Sequence, residues 1–158
     1  MVPLIVLLAS VVALRVLGRF GVRALESWET CLRGGLALMF LVTASAHWGV
    51  RRPDLVRMVP PVFPDPELLV TVTGVAEIAG ALGLLIPRVA PWAAAGLAIL
   101  LVAAFPANVH AARQGLTIGG SPATPLVLRA VLQSVFLAAV LAAGFGSRWW
   151  KRLVRHER

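Results

Sequence analysis

Long uncharged stretches alternate with short charged ones along these 158 residues. The first runs from Val2 to about Gly18 and is apolar up to Arg15. A spanning helix needs about 20 residues, so this one is marginal unless Arg15 snorkels its head group to the interface. A cleaved leader is the rival reading. It is weakened because Arg15, Arg19 and Arg23 follow the apolar run instead of preceding it, so an uncleaved helix with its N-terminus outside is expected. Residues 19 to 33 read as a mixed connector, with Trp28 placed as an interfacial anchor.

A second helix is expected from about Gly34 to Trp48. The piece from Arg51 to Glu67 is too rich in proline for a long helix. A third helix is expected over about Leu68 to Ile86, stopped by Pro87-Arg88. A fourth covers about Val89 to Ala112, kinked at Pro106. After a Gly/Ser/Pro loop at 114–125, a fifth runs from about Pro125 to Phe145, capped by Gly144 and Gly146. The fold class this pattern predicts is all-α, a polytopic membrane helix bundle.

Composition sharpens that reading. Hydrophobic residues make up 59% of the chain and charged ones 14%, against roughly half and a quarter in soluble domains. A soluble fold of this length would need a polar skin that the sequence does not supply. The net charge of +8 could suggest nucleic acid, but its placement argues otherwise, and no nucleic-acid-binding fold surrounds it. Five of the fifteen basic residues, Arg148, Lys151, Arg152, Arg155 and Arg158, fall in the last eleven positions, around Trp149-Trp150. Such a tail fits a cytoplasmic anchor beside anionic lipid, with the tryptophans in an aromatic belt.

With five spans, ten basic residues fall on the side of the tail and five (Arg51, Arg52, Arg57, Arg113, Arg129) on the other. That bias predicts a multi-pass protein of the bacterial cytoplasmic (inner) membrane with a cytoplasmic C-terminus. Cys31 is the only cysteine, which excludes an internal disulfide or a CxxC pair. No metal site is expected.

The candidate chemistry lies in polar residues within the apolar spans: His47, Glu77, Asn108, His110, Arg129 and Gln133. An ionisable group in hydrocarbon is costly and by default faces the bundle and finds a partner. Alternating spans bring His47, Asn108, His110, Arg129 and Gln133 to helix ends on one membrane face. Glu77 sits roughly 14 Å down its helix from Leu68 at about 1.5 Å per residue, within reach of a descending Arg129. Arg129 and Gln133 are spaced i,i+4 and share a helix face. A polar pocket open to the outer half of the bilayer is therefore expected. Each residue also has a plainer reading. Arg129 could snorkel, His47 and His110 could be interfacial, and Asn108 could bond carbonyls freed by Pro106. Glu77 is hardest to dismiss, because a mid-span carboxyl must be protonated or paired. The small residues around it (Gly74, Ala76, Ala79, Gly80, Ala81, Gly83) allow close helix packing.

The order Met58-Val59-Pro60-Pro61, then Gly74-Val75-Ala76-Glu77-Ile78-Ala79-Gly80-Ala81-Leu82-Gly83-Leu84-Leu85-Ile86-Pro87, then Phe105-Pro106-Ala107-Asn108-Val109-His110-Ala111-Ala112, resembles the DoxX-like membrane proteins. Arg129 and Gln133 fit the Arg and Gln that open the family's last helix, and His47 fits a histidine ending its first. The resemblance implies a four-helix membrane domain over 32–146, an added N-terminal helix over 1–20 and a basic cytoplasmic tail over 147–158. The family takes its name from a small subunit of a thiosulfate:quinone oxidoreductase. Relatives are linked to membrane redox assemblies and oxidative-stress defence, and most have no defined activity.

Two functions compete on these grounds. In one, the chain belongs to a membrane redox assembly and its polar residues bind a quinone, with Glu77 as proton carrier and Arg129 setting the charge. The electrons would come from a soluble or membrane partner, since no flavin or nicotinamide fingerprint is present. In the other, the chain is a non-enzymatic helical scaffold for a partner protein. No catalytic constellation is visible, so the sequence does not decide whether the protein is an enzyme. A haem held by His47 and His110 is geometrically allowed but rests on two helix-end histidines. A small transporter is a further alternative, though no pair of broken helices stands in corresponding halves. Small helical faces also suit a homo-oligomer.

Overall fold

The computed structural model describes residues 1–122 and 124–156, with side chains through 146. Six α-helices account for most of the described residues: α1 (Val2–Arg19), α2 (Trp28–Ser45), α3 (Arg52–Met58), α4 (Pro66–Leu84), α5 (Ala90–Arg113) and α6 (Leu126–His156). A 3₁₀ turn at Arg23–Leu25 links α1 to α2. Strands β1 (Thr117–Ile118) and β2 (Ser121–Pro122) form a small antiparallel hairpin before α6. The fold is an all-α helical bundle. Helices α1, α4, α5 and residues Leu126–Gly146 of α6 are long and apolar enough to cross a membrane, the pattern of a multi-pass membrane protein. Helix α2, expected as a fifth span, is not among them, because its first turns carry Glu29 and Arg33.

Helix α2 is the hub, packed by α1, α4 and α6, while α5 joins α4 to α6. Its buried face (Leu36, Met39, Phe40) meets Leu84, Leu97, Val140 and Ala143 in one core. The outward faces are apolar as well: Ile5, Val12, Val75, Trp92, Ile99 and Val127 are all well exposed. Helices apolar on both sides suit lipid, where packing and not water exclusion holds them together.

Several boundaries differ from the expected ones, each for a local reason. Helix α2 starts at Trp28, not Gly34. The Ser27 side chain caps it, accepting from the Thr30 N–H at 3.1 Å. Glu29 and Arg33, one turn apart, form an ion pair, and Arg33 Nε donates to the Ala143 carbonyl of α6 at 2.9 Å. Charges that suggested a connector thus sit inside a helix and satisfy one another. Helix α2 ends at Ser45, which puts His47 in the turn that follows.

At the other end, Gly144 and Gly146 do not stop α6, whose backbone runs on to His156. Gly144 lies against Ala94 so closely that a Cβ would collide with it, so its role is contact and not capping. The side chains of the basic tail and of Trp149 and Trp150 lie outside the described residues. Arg15 does not extend freely to an interface. It donates to the Glu26 carbonyl and stands 5.0 Å from the Trp28 ring centre, a cation–π distance.

Candidate functional site

Val70, Thr73, Gly74 and Glu77 recur at the i, i+3, i+4, i+7 spacing that places them on one face of α4. Opposite them α2 presents Phe40 and Thr43, continued by His47 in the turn after Ser45. The two faces meet because Gly74 has no side chain. A Cβ there would lie 2.8 Å from His47 Cβ and Cγ and 2.7 Å from Trp48 Cη2, inside van der Waals contact. The imidazole occupies that space, and its side chain is 11% exposed.

Its two nitrogens have different partners. Nδ1 lies 2.6 Å from the Val70 carbonyl oxygen. A carbonyl only accepts, so Nδ1 carries a hydrogen. The Thr73 hydroxyl, 3.5 Å from Nδ1, is itself within 2.8 Å of the Leu69 carbonyl and 3.0 Å of Val70 O. Nε2 faces Glu77 Oε1 at 3.6 Å. The other carboxyl oxygen accepts from Thr43 Oγ1 at 2.8 Å, a hydroxyl also 3.0 Å from the Phe40 carbonyl.

A chemical consequence follows from the Val70 bond. With Nδ1–H fixed, a neutral imidazole turns a lone pair on Nε2 toward Glu77, and a protonated carboxyl is the form that complements it. If Nε2 is protonated, imidazolium faces carboxylate. In each of these two arrangements the pair carries one exchangeable proton and a summed charge of zero, its facing atoms 3.6 Å apart, an ion-pair and not a hydrogen-bond distance. That is how two ionisable groups can share a low-dielectric site without leaving a net charge there.

The turn that carries His47 is held by Arg52, in the first turn of α3. Its Nη1 donates to the His47 carbonyl at 2.8 Å, and its Nη2 to the Glu67 carbonyl at 3.1 Å and to Thr71 Oγ1 at 3.0 Å. Helix α3 is in turn tied to the hairpin through Asp54. One carboxyl oxygen accepts from the Gly119 N–H at 2.7 Å, the other pairs with Arg57, and Arg57 also reaches the Thr117 carbonyl at 3.3 Å. The Gly119 amide, with Arg57 beside it, holds the Asp54 carboxyl below its ordinary value.

The remaining candidates gather elsewhere. On α6, Arg129 Nη1 donates to Asn108 Oδ1 of α5 at 2.7 Å and its Nε to the Thr124 carbonyl at 3.0 Å. One turn on, Gln133 donates to the Leu101 carbonyl of α5. Among the described residues His110 makes no side-chain hydrogen bond or ion pair.

The six residues thus divide between an α2–α4 pair (His47, Glu77) and an α5–α6 set (Asn108, Arg129, Gln133). The expected Glu77–Arg129 approach is not formed. Glu77 is taken by His47 and Thr43, and Arg129 by two neutral oxygens. An open groove of about 680 Å³ runs along α6, lined by Phe105, Val127, Val131 and Val135 among others, and none of the six residues lines it. Among the described residues no three His, Cys, Asp or Glu side chains gather as a metal site. Nε2 of His47 faces the Glu77 carboxyl inside the α2–α4 contact, which argues against its serving as a haem ligand. Thr43, Thr73 and Arg52 were not singled out from sequence. Thr43 carried a weak signal, one turn before His47 in an apolar helix, and Arg52 none.

The family model described as Domain of unknown function (DUF8561) matches residues 36–143, more than half of the chain. The chain belongs to this family. The DUF8561 segment contains all six candidate residues together with Thr43, Arg52 and Gly74, and it leaves α1 and the first part of α2 outside. No curated protein and no solved structure matches the chain.

Proposed function

We propose that this DUF8561 protein is a membrane subunit that holds one exchangeable proton at the His47–Glu77 pair and offers it to a lipophilic ligand of the quinone class. The observation that supports the reading is the imidazole whose Nδ1–H is fixed on Val70 O, which leaves Nε2 facing Glu77 Oε1 at an ion-pair distance of 3.6 Å. A quinone carbonyl is an acceptor, and its reduction consumes protons as well as electrons. The pair would supply one of the two protons that quinol formation needs, water at the membrane face the other and the one that reloads the pair, and a soluble or membrane redox partner the two electrons. The resemblance to DoxX-like proteins, carried by the Glu77 run and the Phe105-Pro106-Ala107-Asn108 motif, is part of this proposal. So is placement in the bacterial cytoplasmic membrane with the C-terminus inside. A C-terminal fluorescent-protein fusion that stays dark while the chain inserts would count against that orientation.

The test is mass spectrometry of an organic extract from the purified protein, beside the Glu77→Gln variant. Quinone near one per chain, lost in the variant, is the expected result. Quinone no richer than in the surrounding lipid would refute the reading. A second reading is a non-enzymatic scaffold. It is favoured by the internal satisfaction of the pair, whose partners Val70 O and Thr43 Oγ1 belong to the bundle itself. It predicts a stoichiometric partner in mild-detergent purification that survives Glu77→Gln, and repeated absence of such a partner would remove it.

A further inference from the structure

We infer that Arg52 is the positioning residue of the His47–Glu77 pair, fixing which imidazole nitrogen bears the settled hydrogen. The inference rests on the pair being the functional site, but its test does not depend on a ligand being found. His47 lies two residues beyond the end of α2, where carbonyls have no further helical N–H to accept from. Its own N–H still bonds the Ala44 carbonyl, at 3.0 Å, but its carbonyl is taken by Arg52. Val70 and Glu77, the two groups that read the imidazole, are both on α4. The spacing between this turn and α4 therefore decides whether Nδ1 reaches Val70 O and Nε2 faces Glu77.

Arg52 spans that gap. One amino group of the guanidinium holds the His47 carbonyl, and the other holds two acceptors in the first turns of α4, the Glu67 carbonyl and Thr71 Oγ1. Thr71 Oγ1 is itself 3.0 Å from the Glu67 carbonyl, so the α4 half of the clamp is braced. Three acceptors on two segments are matched by a planar fork whose donors keep a fixed spread. A lysine head group is a single centre on a flexible stem and cannot reproduce it. The Glu67 carboxylate, 3.8 Å away with its side chain 74% exposed, is a solvent-screened neighbour and contributes little. Glu77 from α4 and Arg52 from α3 are the ionisable side chains that face His47.

The readout is the ¹⁵N spectrum of His47 in the full-length protein in detergent, assigned by loss of its signals in His47→Gln. In the unsubstituted protein, recorded at a pH high enough to leave the imidazole neutral, the two ring nitrogens are expected to give separate signals, with a slowly exchanging Nδ1 proton. Arg52→Leu should lose that proton signal and draw the two nitrogen shifts together, as both tautomers become populated. Arg52→Lys should recover the separation only in part, Thr71→Val should give an intermediate spectrum, and Glu67→Gln should change nothing. Should Arg52→Leu fail to fold, Arg52→Lys and Thr71→Val decide the matter. Unsubstituted-like spectra in every folded Arg52 and Thr71 variant would overturn the inference. A protein that binds no quinone yet loses the Nδ1 signal in Arg52→Leu would keep Arg52 in this role and remove only the functional reading above.

Discussion

Gly74→Ala tests the α2–α4 contact most directly. At an open helical position alanine for glycine stabilises by about 0.5–1 kcal/mol, because glycine loses more backbone freedom on folding. At Gly74 the added Cβ would stand 2.7 Å from Trp48 Cη2 and 2.8 Å from His47 Cβ and Cγ. Carbon pairs settle at about 3.5–4.0 Å. The indole edge is the far end of a side chain and can swing away. His47 Cβ is one bond from the backbone, so the turn itself must retreat by most of an ångström. Overpacking of this kind costs about 1–3 kcal/mol. The retreat also draws Nδ1 off the Val70 carbonyl, and a lost hydrogen bond adds about 1 kcal/mol. Set against the helix gain, the net destabilisation expected is about 1–3 kcal/mol. Gly96 is the control, since nothing lies within 4 Å of a Cβ there; Gly96→Ala should hold or raise stability. Reversible unfolding of both variants in mixed micelles measures the difference. A Gly74→Ala protein as stable as the unsubstituted one, or one that keeps the His47 ¹⁵N spectrum, would refute the close-contact account.

Two further outcomes follow from the polar clusters. The Asp54 carboxyl is held below its ordinary value by the Gly119 amide and Arg57. Its folded-state pKa is therefore depressed, so the stabilisation it gives is complete above the unfolded value and is lost as pH falls through the folded one. The Gly119 amide resonance should stay constant down to about pH 4, the range of an unperturbed Asp, and move only in more acid solution. A Gly119 shift that responds to acid just as strongly in Asp54→Asn would refute the link. Asn108 and Arg129 should show a coupling of about 1 kcal/mol in a double-mutant cycle with Asn108→Ala and Arg129→Leu. A charge-assisted bond is worth about 1.5–3 kcal/mol, and the figure is reduced here because Arg129 is only half-buried. Zero coupling would mean that Arg129 spends its time at the interface, as a snorkelling arginine does.

How much of this was legible in the chain depended on whether a feature was local. The apolar runs predicted α4 and α5 to within two residues at each end, because a proline or a charge marks each boundary. The start of α2 was missed because Glu29 and Arg33 read as connector charges. Their spacing of four residues is also that of a helical ion pair, and Ser27 was an unread cap. The stop at Gly144 was misplaced for the converse reason. A glycine near a helix end reads as a terminator, and only the presence of Ala94 across the seam reveals it as a contact.

The site shows the same division. Burial cost alone identified His47 and Glu77 as residues that need partners, but their helix positions read as an outer helix end for His47 and a mid-span depth within reach of Arg129 for Glu77. Which partner each takes depends on rotation about the helix axes, and that is set by packing. Gly74, read from sequence only as a packing glycine, fixes that rotation by admitting the His47 ring on the one face of α4 that also carries Val70 and Glu77. Once the ring is there, the Val70 carbonyl and the carboxyl meet opposite edges of it, and Arg129 is left to Asn108 and Thr124. The pairing that a charge-matching argument favours, Glu77 with Arg129, therefore gives way to one decided by a missing methyl group.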